Sequence, residues 1–264
     1  MTIRSAVLAL LAIVTLMSGC QMAPTPAPTE PRIPGTYLLA YVPRPAITID
    51  GKLDEKAWAQ ADPETDFHLP WEMTPVPRTE FRAFCDDANL YFSLRAFDDN
   101  LVVAPDFPNE ATVDAEDRLE LFFCRDVNVN TVYCLEIDPL GRTHDFKGTF
   151  THWEFDHAWT CEGLKTAGTM FDKGYVVEGL IPLKTLGTLG MESLLAGGTM
   201  RVGLFRAEFR RTGQKVEMHW ISWIDLPAPK FGFHTRQFMG SFRMKQPPRI
   251  GATTCTTKDT KGNR

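Results

Sequence analysis

Apolar and polar residues alternate along most of the chain, and this period of two predicts β-strands rather than helices. The turn-forming residues 86–89 separate two alternating stretches, which predicts a β-hairpin, and a second hairpin is predicted over 119–141. The clearest alternating stretches are TEFRAFC (79–85), NLYFSLRAF (89–97), LELFFC (119–124), VYCLEID (132–138), YVVEGLI (175–181), MRVGLFRAEF (200–209), EMHWISW (217–223) and FMGSFRM (238–244).

These strands, their short turns and the 19 glycines and 19 prolines of the 264-residue chain favour an all-β fold. We predict an antiparallel β-sandwich, of the jelly-roll or immunoglobulin-like kind, with one or two short helices. One helix is predicted at 53–58, with Asp54 as its N-cap, and another at 182–187, between a proline and a glycine. Trp58 and Trp223 are predicted to pack in the core rather than stack on a sugar.

Residues 1–19 have the layout of a secretory signal peptide, with an apolar run at 6–17 that is short for a membrane span. The sequence LMSGC (16–20) resembles a bacterial lipobox, although Met17 replaces the preferred leucine. This resemblance implies cleavage before Cys20, lipidation of its thiol and anchoring to a bacterial membrane, at the outer membrane or the cell surface. The alternative is a plain signal peptide with an accidental cysteine, but no Ala-x-Ala cleavage site supports it.

The remaining chain divides by composition into a spacer, one domain and a tail. Residues 20–35 are rich in proline and threonine, which predicts an extended spacer, and residues 247–264 are polar and aperiodic, which predicts a disordered tail. Residues 36–246 suffice for one β-domain with a sizeable core and contain no apolar run long enough for a transmembrane helix. The net charge of −5 gives no support for nucleic-acid binding.

The cysteines do not form a recognisable metal or redox motif. The chain has six cysteines, so lipidation of Cys20 would leave five, and an odd number requires at least one free thiol. No C-x-x-C pair occurs, so a zinc knuckle or a thioredoxin-like site is not supported, and the lack of C-x-x-C-H argues against covalently attached haem.

Strand parity in the second hairpin places carboxylates and cysteines together on the face opposite the core. The members of this set are Glu120, Cys124, Cys134, Glu136 and Asp138. A symmetric register pairs Cys124 with Cys134 and Glu120 with Asp138, whereas an adjacent register shifts the partners without changing the face. The symmetric register makes a cross-strand disulfide feasible, with two free thiols as the alternative.

Opposed carboxylates destabilise a strand pair unless a partner compensates their charge. The candidates for compensation are Arg118, Arg206, a bound Ca²⁺ and the hydroxyl groups of a glycan, because carboxylates accept paired hydrogen bonds from neighbouring sugar hydroxyls. The alternative is a solvated outer face on which water screens the charges.

Several segments in order resemble the carbohydrate-binding module family 9 domain. They are ITIDGKLDEKAW (47–58), CDDANLYFSLRAFD (85–98), DRLELFF (117–123), YCLEIDPLG (133–141), GYVVEGLIPL (174–183) and FRAEF (205–209). The resemblance covers nearly all of the chain after the spacer. It implies a β-sandwich that binds a poly- or oligosaccharide without catalysis and assists carbohydrate catabolism.

The resemblance also implies site residues. Positions matching Glu120, Glu136 and Asp138 line the family's concave sugar site, where the terminal sugar lies between two tryptophans. Those tryptophans fall near Asp114 and Phe233, so this chain lacks one aromatic and has phenylalanine for the other. Trp153, and also Trp71, are candidates to replace the missing ring from a neighbouring loop, and Arg206 completes the predicted sugar-binding set.

The family commonly binds structural calcium, and two acidic stretches could supply oxygen ligands. The predicted calcium ligands are Asp98, Asp99, Asp114 and Asp117. Histidines at 144, 152, 157, 219 and 234 have no metal-ligand spacing such as H-E-x-x-H, so surface or structural roles are expected. His234 is of interest because it adjoins Phe233. No organic cofactor is expected.

Three functions remain open. The first is glycan capture by a lipid-anchored module; hydrolysis would need an acid and a base around a cleft, and a lone sandwich without a catalytic domain does not favour it. The second is a haem-b redox module of the related sandwich superfamily, with Met218, His219 or Met239 as axial ligands. The third is a structural or assembly lipoprotein.

Overall fold

The structure is a computed structural model, and it describes residues 34–71, 75–126, 128, 130–152, 154–225 and 235–246. The predicted signal peptide, lipidation site and tail lie outside the described residues, as do Trp153, Phe233 and His234. Within the described part, no helix is long and apolar enough to cross a membrane.

The described chain is built almost entirely of β-strands, as the alternating pattern predicts. The strands are β1 (Thr36–Tyr41), β2 (Thr79–Cys85), β3 (Asn89–Phe97), β4 (Arg118–Cys124), β5 (Thr131–Ile137), β6 (Thr143–Thr149), β7 (Phe155–Asp156), β8 (Lys165–Phe171), β9 (Gly174–Pro182), β10 (Thr199–Thr212), β11 (Lys215–Ser222) and β12 (Gly240–Met244). The helical elements are α1 (Leu183–Thr188) and 3₁₀-helices at Lys56–Gln60, Glu110–Ala115, Leu194–Ala196 and Arg236–Phe238.

Two sheets share β1 and form the predicted sandwich. The front sheet runs β7-β6-β5-β4-β10-β12, with β11 also paired to β10, and the back sheet runs β2-β3-β9-β8. Strand β1 pairs with β12 through its first four residues and with β2 through its last two. Both of these pairings are parallel, whereas the other strand pairs are antiparallel, so the sandwich is mixed rather than purely antiparallel.

The core lies between the sheets and follows the predicted parity. Leu119, Leu121 and Phe123 of β4 belong to the same buried cluster as Val177 and Ile181 of β9. These side chains are 0–1 % exposed. Burial of each such side chain contributes about 1.5–3 kcal/mol, so this interface is the main source of stability.

The two predicted helices form, with one error at a cap. Trp58 is 3 % exposed in a 3₁₀-helix over Lys56–Gln60, as expected for a core plug. The N-cap is Glu55 and it makes no side-chain capping bond, so the predicted Asp54 cap is wrong. Asp54 is exposed because the helical turn begins beyond it. Helix α1 starts directly after a proline, as predicted, and ends at Thr188.

A close backbone contact fixes the β5–β6 turn against the back sheet. A Cβ on Gly168 of β8 would lie 2.4 Å from the Pro139 carbonyl oxygen, so only glycine permits this approach. Within the β5–β6 turn, Gly141 has a φ of 79°, in the left-handed region that favours glycine. The Thr166 hydroxyl donates to the Gly141 carbonyl at 2.8 Å, which ties the turn to β8.

Candidate functional site

The outer face of the front sheet carries the predicted carboxylates in one row across neighbouring strands. Glu120 of β4 lies opposite Glu136 of β5, and Glu136 lies opposite His144 of β6. The predicted face is therefore correct, but the symmetric register is wrong, because it paired Glu120 with Asp138. The two glutamates are 2 % and 6 % exposed, so the alternative of a solvated face is also wrong.

The strand register also determines whether Cys124 and Cys134 can form a disulfide. Cys134 lies opposite Phe122, not opposite Cys124, and both cysteines are buried free thiols. The predicted disulfide is thus contradicted, because a cross-strand bridge requires directly opposed positions. Both thiols pack in an apolar cluster on the outer face, and burial raises the pKa of Cys124 to about 11.

Arg118 compensates the charge of the two opposed glutamates. Its Nη2 lies 2.7 Å from Glu120 Oε1 and its Nε lies 2.8 Å from Glu136 Oε2. One guanidinium therefore bridges both carboxylates, which confirms the first of the predicted compensators. The guanidinium centre lies 5.3 Å from the ring of Trp220 and 5.8 Å from that of Phe209, so the pair is held in an apolar surrounding.

A 3₁₀-helix over Glu110–Ala115 adds Asp114 to this group. Arg118 Nη1 donates to the Asp114 carbonyl at 2.9 Å, and the Asp114 carboxylate lies 2.7 Å from His144 Nδ1. The Asp114 side chain is 50 % exposed, whereas that of His144 is 6 % exposed. We call Asp114, Arg118, Glu120, Glu136 and His144 the acidic cluster.

His144 is the member that the sequence did not identify. Its Nε2 lies 3.0 Å from Nδ1 of the exposed His157, and the two rings stack with centroids 5.1 Å apart. Linear metal motifs do not contain it because its partners come from other elements. The available signal was strand parity, since a register with Glu120 opposite Glu136 extends across β6 to His144.

Burial dominates the electrostatics of the acidic cluster. It raises the pKa of Glu136 to about 8, with the charge of Glu120 adding to the effect and Arg118 opposing it. Burial also raises the pKa of Glu120, again against Arg118. The hydrogen bond that His144 donates to the Asp114 carboxylate raises the pKa of His144. Burial therefore favours the protonated forms of the two glutamates, because Arg118 alone does not offset the cost of burying both carboxylates.

Arg206 does not belong to this face, which corrects the prediction. It lies opposite Leu119 on β10, so its side chain points between the sheets and is fully buried. There Nη1 donates to Thr79 Oγ1 and Nη2 to the Phe97 carbonyl, each at 3.1 Å, and Nη2 lies 3.4 Å from Asp98 Oδ2. Arg206 is one residue along β10 from the position opposite Glu120, so its side chain lies on the other face of the sheet.

Asp138 organises the β5–β6 turn rather than presenting free oxygens for a ligand. Its Oδ1 accepts N–H groups from Leu140 at 2.9 Å and Arg142 at 2.8 Å, and its Oδ2 pairs with the Arg142 side chain. Arg142 also binds Glu116 at 2.8 Å. Asp138 is fully buried by these contacts, so the structure gives no support to its predicted role in sugar binding.

The four aspartates predicted to bind calcium do not meet as one group in the described residues, although Asp98 is close enough to Asp117 to raise its pKa. Asp117 accepts the N–H groups of Val102 at 2.5 Å and Phe209 at 2.8 Å, and burial raises its pKa to about 7. Asp98 accepts the N–H of Asn100 at 2.7 Å, and Asp99 pairs with Arg210 at 2.7 Å. Calcium binding by these groups stays a prediction, and only Asp114 of the set belongs to the acidic cluster.

Aromatic side chains surround the acidic cluster. Trp220 is half-buried over Arg118, and Phe155 of β7 is 38 % exposed beside His157. Phe146 packs edge-on against Phe155, with ring centroids 5.5 Å apart. Trp71 is half-buried and contacts Phe238 on the same outer cluster. Trp223 is 5 % exposed in the core between the sheets, and Trp58 is 3 % exposed in a separate buried cluster with Phe84 and Tyr91, so both tryptophans are packed, as predicted.

The candidate haem ligands do not converge. The Cβ position of Gly203 lies 3.0 Å from Met239 Sδ, whereas Met218 lies opposite Phe209, about 20 Å further along β10. His219 is adjacent to Met218 and faces the opposite side of the strand. The described residues therefore provide no axial pair from this set.

Comparison with known proteins identifies a matching sequence family and solved structures of similar fold. The sequence model of the carbohydrate family 9 binding domain-like family matches residues 49–246. No curated protein sequence matches this chain. A provisionally assigned carbohydrate-binding protein from Bacteroides uniformis superposes with a TM-score of 0.61 at 14 % identity, over 80 % of this chain and 99 % of that one.

Two further similar structures are of family 9 carbohydrate-binding modules from Caldicellulosiruptor kristjanssonii. The glucose complex has a TM-score of 0.56 at 16 % identity, over 82 % of this chain and 99 % of that chain. The cellotriose complex has a TM-score of 0.52 at 17 % identity, over 80 % and 93 % of the two chains. These similarities establish the shared fold.

Proposed function

Because the chain belongs to the carbohydrate family 9 binding domain-like family, we propose that it binds carbohydrate and does not convert it. The ligand class is a glucose-based oligosaccharide or polysaccharide. Similar modules are solved with glucose and with cellotriose, which supports this choice. The fold alone does not specify the ligand, so the proposal depends on the acidic cluster.

The observation that carries the proposal is a half-exposed carboxylate beside exposed rings. Asp114 is 50 % exposed and is oriented by His144, the exposed His157 contacts the other side of the His144 ring, and the exposed Phe155 lies 6.1 Å from His157, centroid to centroid. A carboxylate accepts hydrogen bonds from adjacent sugar hydroxyls, and a ring covers the apolar face of the sugar. Glu120 and Glu136 are buried beneath Asp114, and they position it through Arg118, which donates to the Asp114 carbonyl.

The arrangement of the carboxylates supports binding without hydrolysis. A glycosidase places its two carboxyl groups on either side of the scissile bond, about 5–9.5 Å apart. Glu120 and Glu136 instead lie directly opposite each other, are buried, and share one guanidinium. A sugar cannot enter between them without breaking both ion pairs.

We further propose that a lipid on Cys20 anchors the domain to a bacterial membrane, where it assists carbohydrate catabolism. The lipobox-like sequence and the proline-rich stretch that follows support this location. Metabolic labelling with an alkyne fatty acid tests it, because label that disappears in Cys20→Ser is expected. Label that persists in Cys20→Ser would contradict the anchor.

Calorimetric titration of the full chain with cellotriose tests the binding site. We expect Asp114→Asn to weaken binding about tenfold, because it replaces a charge-assisted hydrogen bond of about 1.5–3 kcal/mol with a neutral one of about 0.5–1.5 kcal/mol. Asp99→Asn is the matched control, since Asp99 is also exposed and ion-paired but lies by Arg210. Equal affinity in both variants would place the sugar elsewhere, and cleavage of cellotriose by the wild type would refute the non-catalytic assignment.

A further inference from the structure

Three side chains of the acidic cluster have the composition of a metal site. Asp114, Glu136 and His144 each offer one ligand atom, and these atoms all lie within 4.8 Å of one another. They form the one such group of histidines, cysteines and carboxylates in the part of the chain that the structure describes. We propose that they bind one divalent transition-metal ion, with Zn²⁺ as the reference ion.

The donor set explains the choice of ion. Two carboxylates and one imidazole suit zinc and its neighbours, whereas calcium takes six to eight oxygen ligands. Three protein ligands also leave coordination positions for water or for another ligand. The three residues come from a 3₁₀-helix, β5 and β6, so the sheet register and the helix fix their separations.

The surroundings of His144 match those of a metal-ligating histidine. Nδ1 faces Asp114 at 2.7 Å, and Nε2 faces His157 at 3.0 Å. Histidine ligands normally use one nitrogen for the metal and donate the other N–H to an outer partner, which fixes the ring and its tautomer. His157 fills that outer role here. His144 and Glu136 are buried, while the half-exposed Asp114 leaves an entry path.

The charges of the acidic cluster also favour a dication. With every carboxyl ionised, as metal binding requires, Asp114, Glu120 and Glu136 carry three negative charges and Arg118 one positive charge, which leaves a formal charge of −2. A bound dication with a neutral imidazole brings this sum to zero. Glu136 can serve both partners, because Oε2 binds Arg118 and its other oxygen remains for the metal.

A second observation points to a missing partner. Glu120 Oε1 is buried and lies 2.7 Å from Arg118 Nη2, yet it makes no hydrogen bond of acceptable geometry, and neither does Arg118 Nε. Buried polar atoms are almost always satisfied in native proteins. A cation bound by the neighbouring Glu136 would draw that carboxylate away and let Arg118 align with Glu120. This inference does not require sugar binding.

Zinc titration of the full chain, untagged and treated with EDTA, tests the proposal by calorimetry. We expect one Zn²⁺ per chain in the wild type and binding about 100-fold weaker or lost in His144→Asn, since even outer-shell changes weaken metal binding 10–100-fold. The matched control is His68→Asn, because His68 also pairs with an aspartate, Asp66, at 3.5 Å. It should bind Zn²⁺ like the wild type.

Thermal unfolding of the apo proteins shows whether His144→Asn is folded. If it is not, Asp114→Asn decides the question, because that side chain is half-exposed and its loss leaves the core intact. Absence of stoichiometric Zn²⁺ binding in the wild type, equal loss in both histidine variants, or undiminished binding in Asp114→Asn would each overturn the proposal. Cellotriose titration in EDTA separates this outcome from carbohydrate binding.

Discussion

Replacing Arg118 with methionine tests how the acidic cluster is stabilised. The substitution keeps a long side chain against Trp220 and Phe209 but removes the charge that bridges Glu120 and Glu136. Removing one partner of a buried ion pair costs about 3–5 kcal/mol. We expect a loss in this range in the free energy of unfolding.

The loss should depend on pH. Burial raises the pKa of Glu136 to about 8, and removal of Arg118 would raise it further. At about pH 6 this carboxyl is protonated in the variant, so little repulsion from Glu120 remains. At about pH 9 the folded variant must either bury a second unpaired charge or hold a proton that the unfolded chain releases. Relative to the wild type, the variant should therefore lose stability as the pH rises above about 8, where the wild-type Glu136 ionises next to Arg118.

Urea denaturation of wild type, Arg118→Met, Glu136→Gln and the double variant measures the coupling. The double variant should recover more than about 1 kcal/mol relative to Arg118→Met, because the opposed charge is gone. Arg210→Met is the matched control, since Arg210 is 40 % exposed in its pair with Asp99, and it should lose under about 1 kcal/mol. A similar small loss in Arg118→Met, or no recovery in the double variant, would refute this description of the acidic cluster.

Burial raises the pKa of Glu178 from its usual 4.5 to about 7, despite hydrogen bonds from Trp58 and residues 50–51. The stability from this shift is full below about pH 4.5 and is lost as the pH rises through 7. Glu178→Gln should therefore remove about 3 kcal/mol of the pH dependence of the unfolding free energy, measured by denaturation at a series of pH values. An unchanged slope would contradict the assignment. Gly168→Ala should destabilise the protein by about 1–3 kcal/mol in urea melts, because the new methyl group meets the Pro139 carbonyl oxygen at 2.4 Å, whereas Gly187→Ala in α1 should be neutral or stabilising. Equal effects would show that the two backbones separate freely. Peptide mapping without reductant should recover the peptides containing Cys124 and Cys134 unlinked, and a linked peptide would disprove the register.

Local alternation was sufficient to predict the strands and their faces. Leu119 and Leu121 point to the core and Glu120 points away from it, as the period of two requires. The register was not predictable, because a shift of two residues preserves every face and differs only in turn geometry and long-range contacts. Glu136 rather than Asp138 therefore lies opposite Glu120.

Long-range pairings explain the other differences between sequence and structure. Strand β1 joins two sheets by parallel pairing with strands far along the chain, which no local pattern encodes. Arg206 finds Asp98 across the sandwich, and His144 finds Asp114 from another element. Both contacts depend on the complete topology, so composition and spacing identify the residues but not their partners.

The face bearing the acidic cluster is the proposed carbohydrate-binding surface. Nuclear magnetic resonance titration of the isotope-labelled full chain with cellotriose tests it most directly, because the shifts report location as well as binding. We predict saturable shifts at Asp114, His144 and His157, with the opposite side of the sandwich around Trp58 unaffected. Shifts centred on Trp58, or no saturable shifts with any glucose oligomer, would contradict the claim.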